Sequence, residues 1–167
     1  MCIRDRYTKA EETAYVHGAA MMTTRTVVEK AGMMPDEFFL YYEELDWCER
    51  IRNQGYKIYV EPNALVYHKE SIAVGKESTL KTFYHNRNRI YFVRRNRSSV
   101  QIMMFYIFLI FFTIPKNTIS FLLKGQWEHI KVFFKAIWWN FSRQDRFLKT
   151  DNKLNSQVIA SKVMSKK

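Results

Sequence analysis

Short apolar runs separated by turn-forming residues mark the front half of the chain. Residues 14–22 are apolar except for a histidine and a glycine, which predicts a buried strand whose backbone is closely approached at Gly18. A short helix is expected next, because Thr23 and Thr24 offer capping hydroxyls and Gly32 can take the left-handed conformation that closes a helix. The segment is therefore predicted to form a strand, a turn and a helix.

The clearest helical pattern covers residues 43–54, where apolar residues recur at helical spacing on one face. Gly55 is expected to end this helix. Two β-like runs follow it, at residues 56–60 and 64–67. The resulting order, β-α-α-β, predicts an α/β fold class for this part of the chain.

The back half begins with an arginine-rich helix and continues with a long apolar run. Residues 82–96 combine arginines with interleaved aromatic residues. Residues 102–114 are apolar except for Thr113, but Pro115 cuts the run after about 13 residues, whereas a membrane-spanning helix needs about 20. We therefore predict a re-entrant or interfacial pair of helices, with a kinked span through residues 118–123 as the open alternative.

The last pattern is amphipathic. Residues 127–141 place large apolar side chains against Lys131 and Lys135, which is typical of a helix that lies among lipid headgroups. The chain is thus divided into a disordered or accidental start at 1–14, an α/β unit at 15–98, membrane-associated helices at 99–142 and a basic disordered tail at 143–167.

The charge of the 167-residue chain is split between its two halves. Residues 1–80 hold 10 Lys and Arg against 13 Asp and Glu, a net charge of −3, whereas residues 81–167 hold 17 against 3, a net charge of +14. A back half of this kind needs an anionic partner, either nucleic acid or an anionic membrane leaflet. The two cysteines have no metal or disulfide spacing, which fits a reducing cytosolic setting.

Three carboxylates open the second helix: Glu43, Glu44 and Asp46. Acidic residues in a first helical turn stabilise the free N–H groups by about 0.3 to 1 kcal/mol, and this structural role alone could explain them. Their position directly behind an aromatic run also favours a functional role, since desolvation and mutual repulsion raise a carboxylate pKa towards the range of a general base. The residues alone leave both interpretations open.

The order of motifs resembles the family-2 glycosyltransferases of GT-A fold, especially the rhamnosyltransferase-like branch that builds bacterial surface polysaccharides. The resemblance covers about residues 15 to 97. Its motifs are Gly18-Ala19, Asp36-Glu37-Phe38-Phe39 with Tyr41, Glu43-Glu44-Leu45-Asp46 with Arg50, Gly55-Tyr56, and residues 62–68 ending in His68.

The resemblance implies the C-terminal, acceptor-side half of a GT-A domain and a role for each matching residue. Glu44 would be the general base that takes the proton from the acceptor hydroxyl. Glu43, Asp46 and Trp47 would bind the acceptor, although helical spacing alone favours Trp47 as a core residue. Arg50, four residues after Asp46, would hold that carboxylate in place.

The resemblance also implies ligands for phosphate and metal. His68 would bind the divalent cation, Mg²⁺ or Mn²⁺, that neutralises the leaving diphosphate. The arginines of the basic helix would contact donor phosphates or lipid headgroups, the alternative being a solvated basic face; they are Arg87, Arg89, Arg94 and Arg95.

Two departures from the family pattern limit what the chain is expected to do. Glu44 stands where aspartate is commoner, which lengthens the base by one methylene. No Asp-x-Asp metal motif and no nucleotide-binding half precede Gly18. We therefore expect the isolated chain to be inactive.

The resulting hypothesis is part of an inverting glycosyltransferase at the cytoplasmic face of the bacterial inner membrane. It would move a sugar from a nucleotide-sugar donor to a lipid-linked or polysaccharide acceptor. The alternative is a non-enzymatic basic module that binds membrane surfaces or nucleic acid, motivated by residues 84–97. The long apolar run makes nucleic acid the less favoured partner.

Overall fold

The computed structural model describes residues 9–67 and 78–142. Its elements, in chain order, are β1 (Glu11–Thr13), α1 (Arg25–Ala31), a 3-10 turn (Asp36–Phe38), α2 (Glu43–Asn53), β2 (Ile58–Val60), α3 (Thr79–Asn96), α4 (Ser99–Phe108), a π-helical segment (Leu109–Thr113), α5 (Ile114–Leu123) and α6 (Trp127–Ser142).

The two strands pair with each other in an antiparallel ribbon, with Glu11 opposite Val60 and Thr13 opposite Ile58. An ion pair between Lys57 and Glu12, 2.9 Å long, joins them at the surface. Residues 11–13 belong to the segment 1–14 that we predicted to be disordered or an accidental start, and in the structure they form a regular strand. This acidic segment forms a strand because it pairs with β2, and its own sequence does not show that pairing.

Both other predicted strands are absent from the described structure. Residues 14–22 form turns and irregular backbone and are mostly exposed, and residues 64–67 have no regular structure, with Tyr67 91% exposed. Apolar composition alone does not make a strand, because its backbone groups need a neighbour to pair with. None is paired with either run in the described residues.

Helices α1 and α2 form a small core. Val27 and Ala31 of α1 pack against Trp47 and Ile51 of α2. The turn between them requires Gly32, which has a φ of 78° and would place a Cβ 3.1 Å from the Arg50 guanidinium. The predicted ends of both helices agree with the structure to within one residue.

Helices α3 and α6 lie side by side and run in the same direction. Thr82 meets His129 near their first turns, with 2.9 Å between the hydroxyl and Nδ1. Towards their ends, the Tyr91 and Trp139 rings pack edge to face, 6.1 Å apart. Helices α4 and α5 run antiparallel to α6, because Phe121 of α5 contacts Phe133 whereas Tyr106 of α4 contacts Phe141.

The apolar run is one continuous helical rod rather than the predicted pair of helices. Pro115 lacks an N–H, and its ring would clash with the carbonyl four residues earlier in a regular α-helix. The π-helical segment widens the turns at this point: the Ile114 N–H bonds to the carbonyl of Leu109, five residues back. The chain therefore passes the proline without breaking.

By length and composition alone, Ser99–Leu123 could cross a membrane. At 25 residues the rod is about 37 Å long, compared with about 30 Å for the hydrocarbon core of a bilayer. Most of its large apolar side chains are exposed; they include Met103, Met104, Ile107, Phe108, Ile110, Phe111, Phe112, Ile119, Leu122 and Leu123.

Candidate active site

A strained loop presents the acidic start of α2. Three of its non-glycine residues have a positive φ: Phe39 at 61°, Tyr41 at 65° and Tyr42 at 74°. The Leu40 N–H bonds to the Phe38 carbonyl at 2.7 Å, which makes Phe39 the centre of a γ-turn. Each such conformation costs about 1 to 3 kcal/mol, and clusters of them persist at sites where function requires the geometry.

Two neighbouring residues of α3 hold this loop. The buried Asn88 side-chain amide donates to the carbonyls of Phe38 at 2.9 Å, Leu40 at 2.6 Å and Tyr41 at 2.8 Å. Arg87 donates to the Phe38 carbonyl at 2.9 Å and to the Asn88 side-chain oxygen at 2.6 Å. The loop conformation is therefore imposed by a tertiary clamp.

Arg87 does not have the surroundings predicted for a phosphate contact. Its guanidinium lies between the rings of Tyr84 and Trp139, 4.7 and 4.6 Å from their centroids, and the residue is 7% exposed. Its donors face backbone carbonyls, including that of Glu37. Because the guanidinium is enclosed by protein, we assign Arg87 to the loop clamp.

Glu43 and Glu44 follow the clamped loop directly and are both partly buried. Burial raises the pKa of Glu43, and repulsion from Glu44 raises it further. One Glu43 oxygen, Oε2, is buried without a hydrogen-bond partner among the described residues. Glu44 lies against Gly18, where an added Cβ would be 3.6 Å from the Glu44 Cβ, so the predicted close approach at Gly18 is made by this side chain.

Asp46, the third acid, is fully buried and held by the protein. Oδ2 accepts from Arg50 Nε at 3.2 Å, while Oδ1 accepts from Asn96 at 2.7 Å and lies 3.2 Å from Arg95 Nε. The predicted pairing with Arg50 is therefore present. A carboxylate enclosed by three donors has no free face for a sugar, so the structure gives Asp46 a positioning role in place of the predicted acceptor contact.

Trp47 is a core residue in this structure. It is 8% exposed, packs with Val27, Ala31 and Ile51, and donates its indole N–H to the Gly32 carbonyl at 2.8 Å. The geometry corrects the predicted role as an acceptor platform and supports the core interpretation. Arg50 reaches the same turn, donating to the carbonyls of Ala31 at 2.7 Å and Met33 at 2.6 Å.

The remaining three arginines of the predicted phosphate set divide between two roles. Arg94 donates to the Asn140 carbonyl at 2.7 Å and Arg95 is bound to Asp46, so both join elements of the fold. Arg89 contacts the Asn86 side chain at 3.3 Å, and its Nε is buried without a partner in the described chain. Of the four, Arg89 alone retains a geometry suited to an external anion.

The metal prediction falls on a residue outside the described ones. His68 belongs to the stretch 68–77, and the described residues contain no group of three His, Cys, Asp or Glu side chains that could hold a metal ion. The divalent cation therefore stays a prediction from the resemblance.

Sequence reasoning missed the asparagines that build the site. Asn88 clamps the loop, Asn96 binds Asp46, and Asn140 of α6 donates to the Arg87 carbonyl at 3.1 Å. Asparagine is a poor helix former, because its side chain competes for backbone hydrogen bonds. Its recurrence inside α3 was therefore a signal that these amides have tertiary partners.

Comparison with characterised proteins finds similarity to two glycosyltransferases. A stretch of 44 residues is 39% identical to the low-salt glycan biosynthesis hexosyltransferase Agl10 of Haloferax volcanii, covering 26% of this chain and 14% of that protein. Over 118 residues the chain is 25% identical to the dTDP-rhamnosyl transferase RfbF of Shigella flexneri, covering 66% of this chain and 39% of that protein.

The chain thus spans well under half the length of either relative. No family model matches the sequence, and no solved structure matches it. The two partial similarities support a relationship to glycosyltransferases of glycan biosynthesis.

Proposed function

We propose that this chain is the acceptor-side part of an inverting glycosyltransferase, the C-terminal portion of a GT-A domain followed by membrane-associated helices. The complete enzyme moves a sugar from a nucleotide-sugar donor to a lipid-linked or polysaccharide acceptor. The similarity to a hexosyltransferase and a rhamnosyl transferase supports the class of reaction.

The observation that carries the proposal is the clamped, strained loop ahead of Glu43 and Glu44. Strain at three residues, held by buried donors from a distant helix, is costly for a loop that only connects two elements. It fixes the position of two adjacent carboxylates relative to the rest of the fold. Fixed carboxylates are what proton abstraction from an acceptor hydroxyl requires.

Glu44 is the base in this mechanism. It takes the acceptor hydroxyl proton while the hydroxyl oxygen forms a bond to the anomeric carbon of the donor sugar. The bond from that carbon to the nucleotide diphosphate breaks, and its electron pair leaves with the diphosphate. Glu43 acts as the neighbouring hydrogen-bond partner of the acceptor. The divalent cation, with His68 as its ligand, stays a prediction from the resemblance.

The surface of the back half supports a membrane partner over nucleic acid. The aromatic rings of α3 are used inside the fold: Tyr84 lies against Phe39 at 5.0 Å, and Tyr91 against Phe38 at 5.1 Å. These rings are not free to stack on bases, as a single-strand binder needs. In the described back half, most of the exposed large apolar side chains lie on the rod Ser99–Leu123 and on α6, the kind of surface that enters a lipid interface.

The test of the base is Glu44→Gln in the complete enzyme, with the chain joined to its nucleotide-binding half. We expect kcat to fall by about 10² to 10⁴-fold, with donor binding nearly unchanged, because the substitution removes the proton acceptor and keeps the shape. Glu29→Gln, an exposed residue of α1, is the matched control and should retain full turnover. Turnover of the Glu44 variant equal to that of the control removes Glu44 from this role.

A further inference from the structure

A polar cavity lies where the first turns of α3 and α6 meet the end of α5. Its volume is about 360 Å³, within the range of roughly 300 to 1,000 Å³ typical of small-molecule sites. Residues from all three helices line it, so its shape is set by the packing of the bundle. It is separate from the acidic start of α2, whose carboxylates are not part of its lining.

The lining of this cavity is cationic. Lys81, Arg89 and Lys124 face it together with His85 and His129, and no Asp or Glu of the described residues lines it. Within the described residues, none of the three cations forms an ion pair with a carboxylate. Uncompensated positive charge around a cavity favours an anionic ligand.

Arg89 is the most constrained of these cations. Its Nε is buried and has no hydrogen-bond partner among the described residues, and burial lowers its pKa. The pKa of His85 is lowered by burial and by the positive charges of Arg89 and Lys81. A buried donor without a partner costs about 1 to 3 kcal/mol, and the fold keeps this donor on an arginine that lines the cavity.

The backbone adds to the preference for an anion. Helices α3 and α6 are parallel, so their N-terminal ends, with their partial positive charge, both lie at this cavity through Ser78 and Gln126. Lys124 follows the C-terminal end of α5 and offsets the opposite partial charge there.

The cavity connects the two surfaces that the proposed function needs. His85 packs against the rings of Tyr41 and Tyr42, at 6.0 and 5.7 Å, and these residues directly precede Glu43. On its other side the lining includes Phe121 and Asn117 of the apolar rod. A ligand held here is adjacent both to the strained loop and to the membrane-facing helix.

We propose that this cavity binds a phosphate or diphosphate group, held by Arg89, Lys81 and Lys124 beside the strained loop. Such a group has two sources, a lipid-linked acceptor or the water-soluble diphosphate released from the donor. The residues that line the cavity support phosphate binding by themselves. The use of that phosphate in sugar transfer rests on the proposed function.

The test measures direct binding to the full 167-residue chain in detergent, by titration calorimetry. The probes are inorganic pyrophosphate and farnesyl diphosphate, which share the diphosphate and differ in the lipid chain. We expect Arg89→Gln and Lys124→Gln each to weaken binding of the tighter probe by about tenfold or more, since each removes a charge-assisted contact.

Lys131→Gln is the matched control: this exposed lysine of α6 contacts Glu128 and does not line the cavity, so binding should be unchanged. Because Lys124 is exposed, its variant separates loss of binding from loss of folding. Tighter binding of farnesyl diphosphate assigns the cavity to a lipid-linked phosphate, and equal binding assigns it to a soluble diphosphate.

Absence of binding by both probes, or equal weakening by Lys124→Gln and Lys131→Gln, would overturn the proposal. Because binding is read without turnover, this result is independent of the Glu44 experiment. A failed Glu44 test leaves the phosphate site standing, and an empty cavity leaves the base assignment standing.

Discussion

Glu43 and Glu44 are neighbours in the chain, but the fold gives them different surroundings. Glu43 has a raised pKa and a buried oxygen that no described residue contacts by a hydrogen bond, whereas Glu44 lies against the Gly18 backbone. A carboxylate that the fold partly desolvates is more easily protonated in the native state than in the unfolded chain. Its charge at neutral pH therefore opposes folding, and the molecule retains it at a site that sequence resemblance associates with catalysis.

The charge of Glu43 has a measurable cost in stability that depends on pH. Because the folded pKa lies above the unfolded one, the stability linked to Glu43 is present below the unfolded pKa and is lost as pH rises through the folded pKa. We expect Glu43→Gln to raise Tm relative to the parent chain near neutral pH. The difference should shrink towards zero at about pH 4, where the parent's Glu43 is protonated.

Thermal melts of both chains across this pH range, followed by circular dichroism, provide the measurement. Glu128→Gln is the control, since Glu128 is exposed and should change Tm little at any pH. A Glu43→Gln chain that is less stable than the parent at neutral pH would show that the Glu43 carboxylate is favourably bound.

At the scale of elements, α3 determines how α2 is presented. Asn88 holds the loop before α2, Arg95 and Asn96 hold Asp46 within its first turn, and Arg97 binds Glu49 at 2.7 Å. The arginine-rich helix is therefore largely an internal scaffold. Lys81 and Arg89 of this helix line the cationic cavity and form no ion pair with a described carboxylate, so their charge is available to a ligand.

The clamp predicts that Asn88→Asp is severely destabilising. The new side chain has the same shape, but it places a buried carboxylate against the carbonyls of Phe38, Leu40 and Tyr41 in place of a donor. We expect a loss of about 3 kcal/mol or more in the free energy of unfolding, because three hydrogen bonds become contacts between a buried carboxylate and carbonyl oxygens, which the contact with Arg87 offsets only in part. Denaturant titration followed by circular dichroism measures it.

Asn53→Asp, at the exposed end of α2, is the matched control and should change stability by less than about 1 kcal/mol. Equal, small effects at both positions would mean that the loop holds its conformation without Asn88. The strain would then have a local cause, and the hydrogen bonds from Asn88 would no longer support a functional role for the loop.

Helices α1, α2 and α6 and strand β2, which lies within the predicted run 56–60, were predictable from sequence, whereas strand β1 was not. Hydrophobic periodicity and capping residues predicted α1, α2 and α6 close to their observed bounds, because the backbone hydrogen bonds of a helix form within the helix itself. The strand predicted at 14–22 failed, and β1 appeared in an acidic segment, because pairing depends on a partner far along the chain. The roles of Arg87, Asp46 and Trp47 depend on their burial, and the spacing of these residues along the chain does not show which of them are buried.

At the scale of the whole molecule, the packing of the apolar rod limits how it could enter the membrane that we propose as its partner. The rod is long enough to span, but α6 lies along it from Phe133, beside Phe121, to Phe141, beside Tyr106. Helix α3 in turn packs along α6 and carries four arginines, Arg87, Arg89, Arg94 and Arg95. A spanning rod would therefore draw a heavily charged helix towards the hydrocarbon, at a cost of several kcal/mol per charge.

We therefore predict that the chain binds the membrane surface with the rod lying in the interface. The full chain should float with vesicles that contain phosphatidylglycerol and should be released by alkaline carbonate, as peripheral proteins are. Phe108 and Phe111 are 56% and 68% exposed, and replacing both with Glu should weaken vesicle binding at least about tenfold, since each buried phenyl ring contributes about 1.5 to 3 kcal/mol.

Met22→Glu supplies the control for this experiment, because Met22 is 99% exposed and lies in the front half, away from the rod. Vesicle binding of this variant should equal that of the parent chain. Retention of the parent chain through carbonate extraction would contradict the surface arrangement, because only a rod that crosses the bilayer resists that treatment. The packing of α3 against α6 would then have to open when the rod inserts. Opening would separate Tyr91 from Trp139, and a change in tryptophan fluorescence would report it.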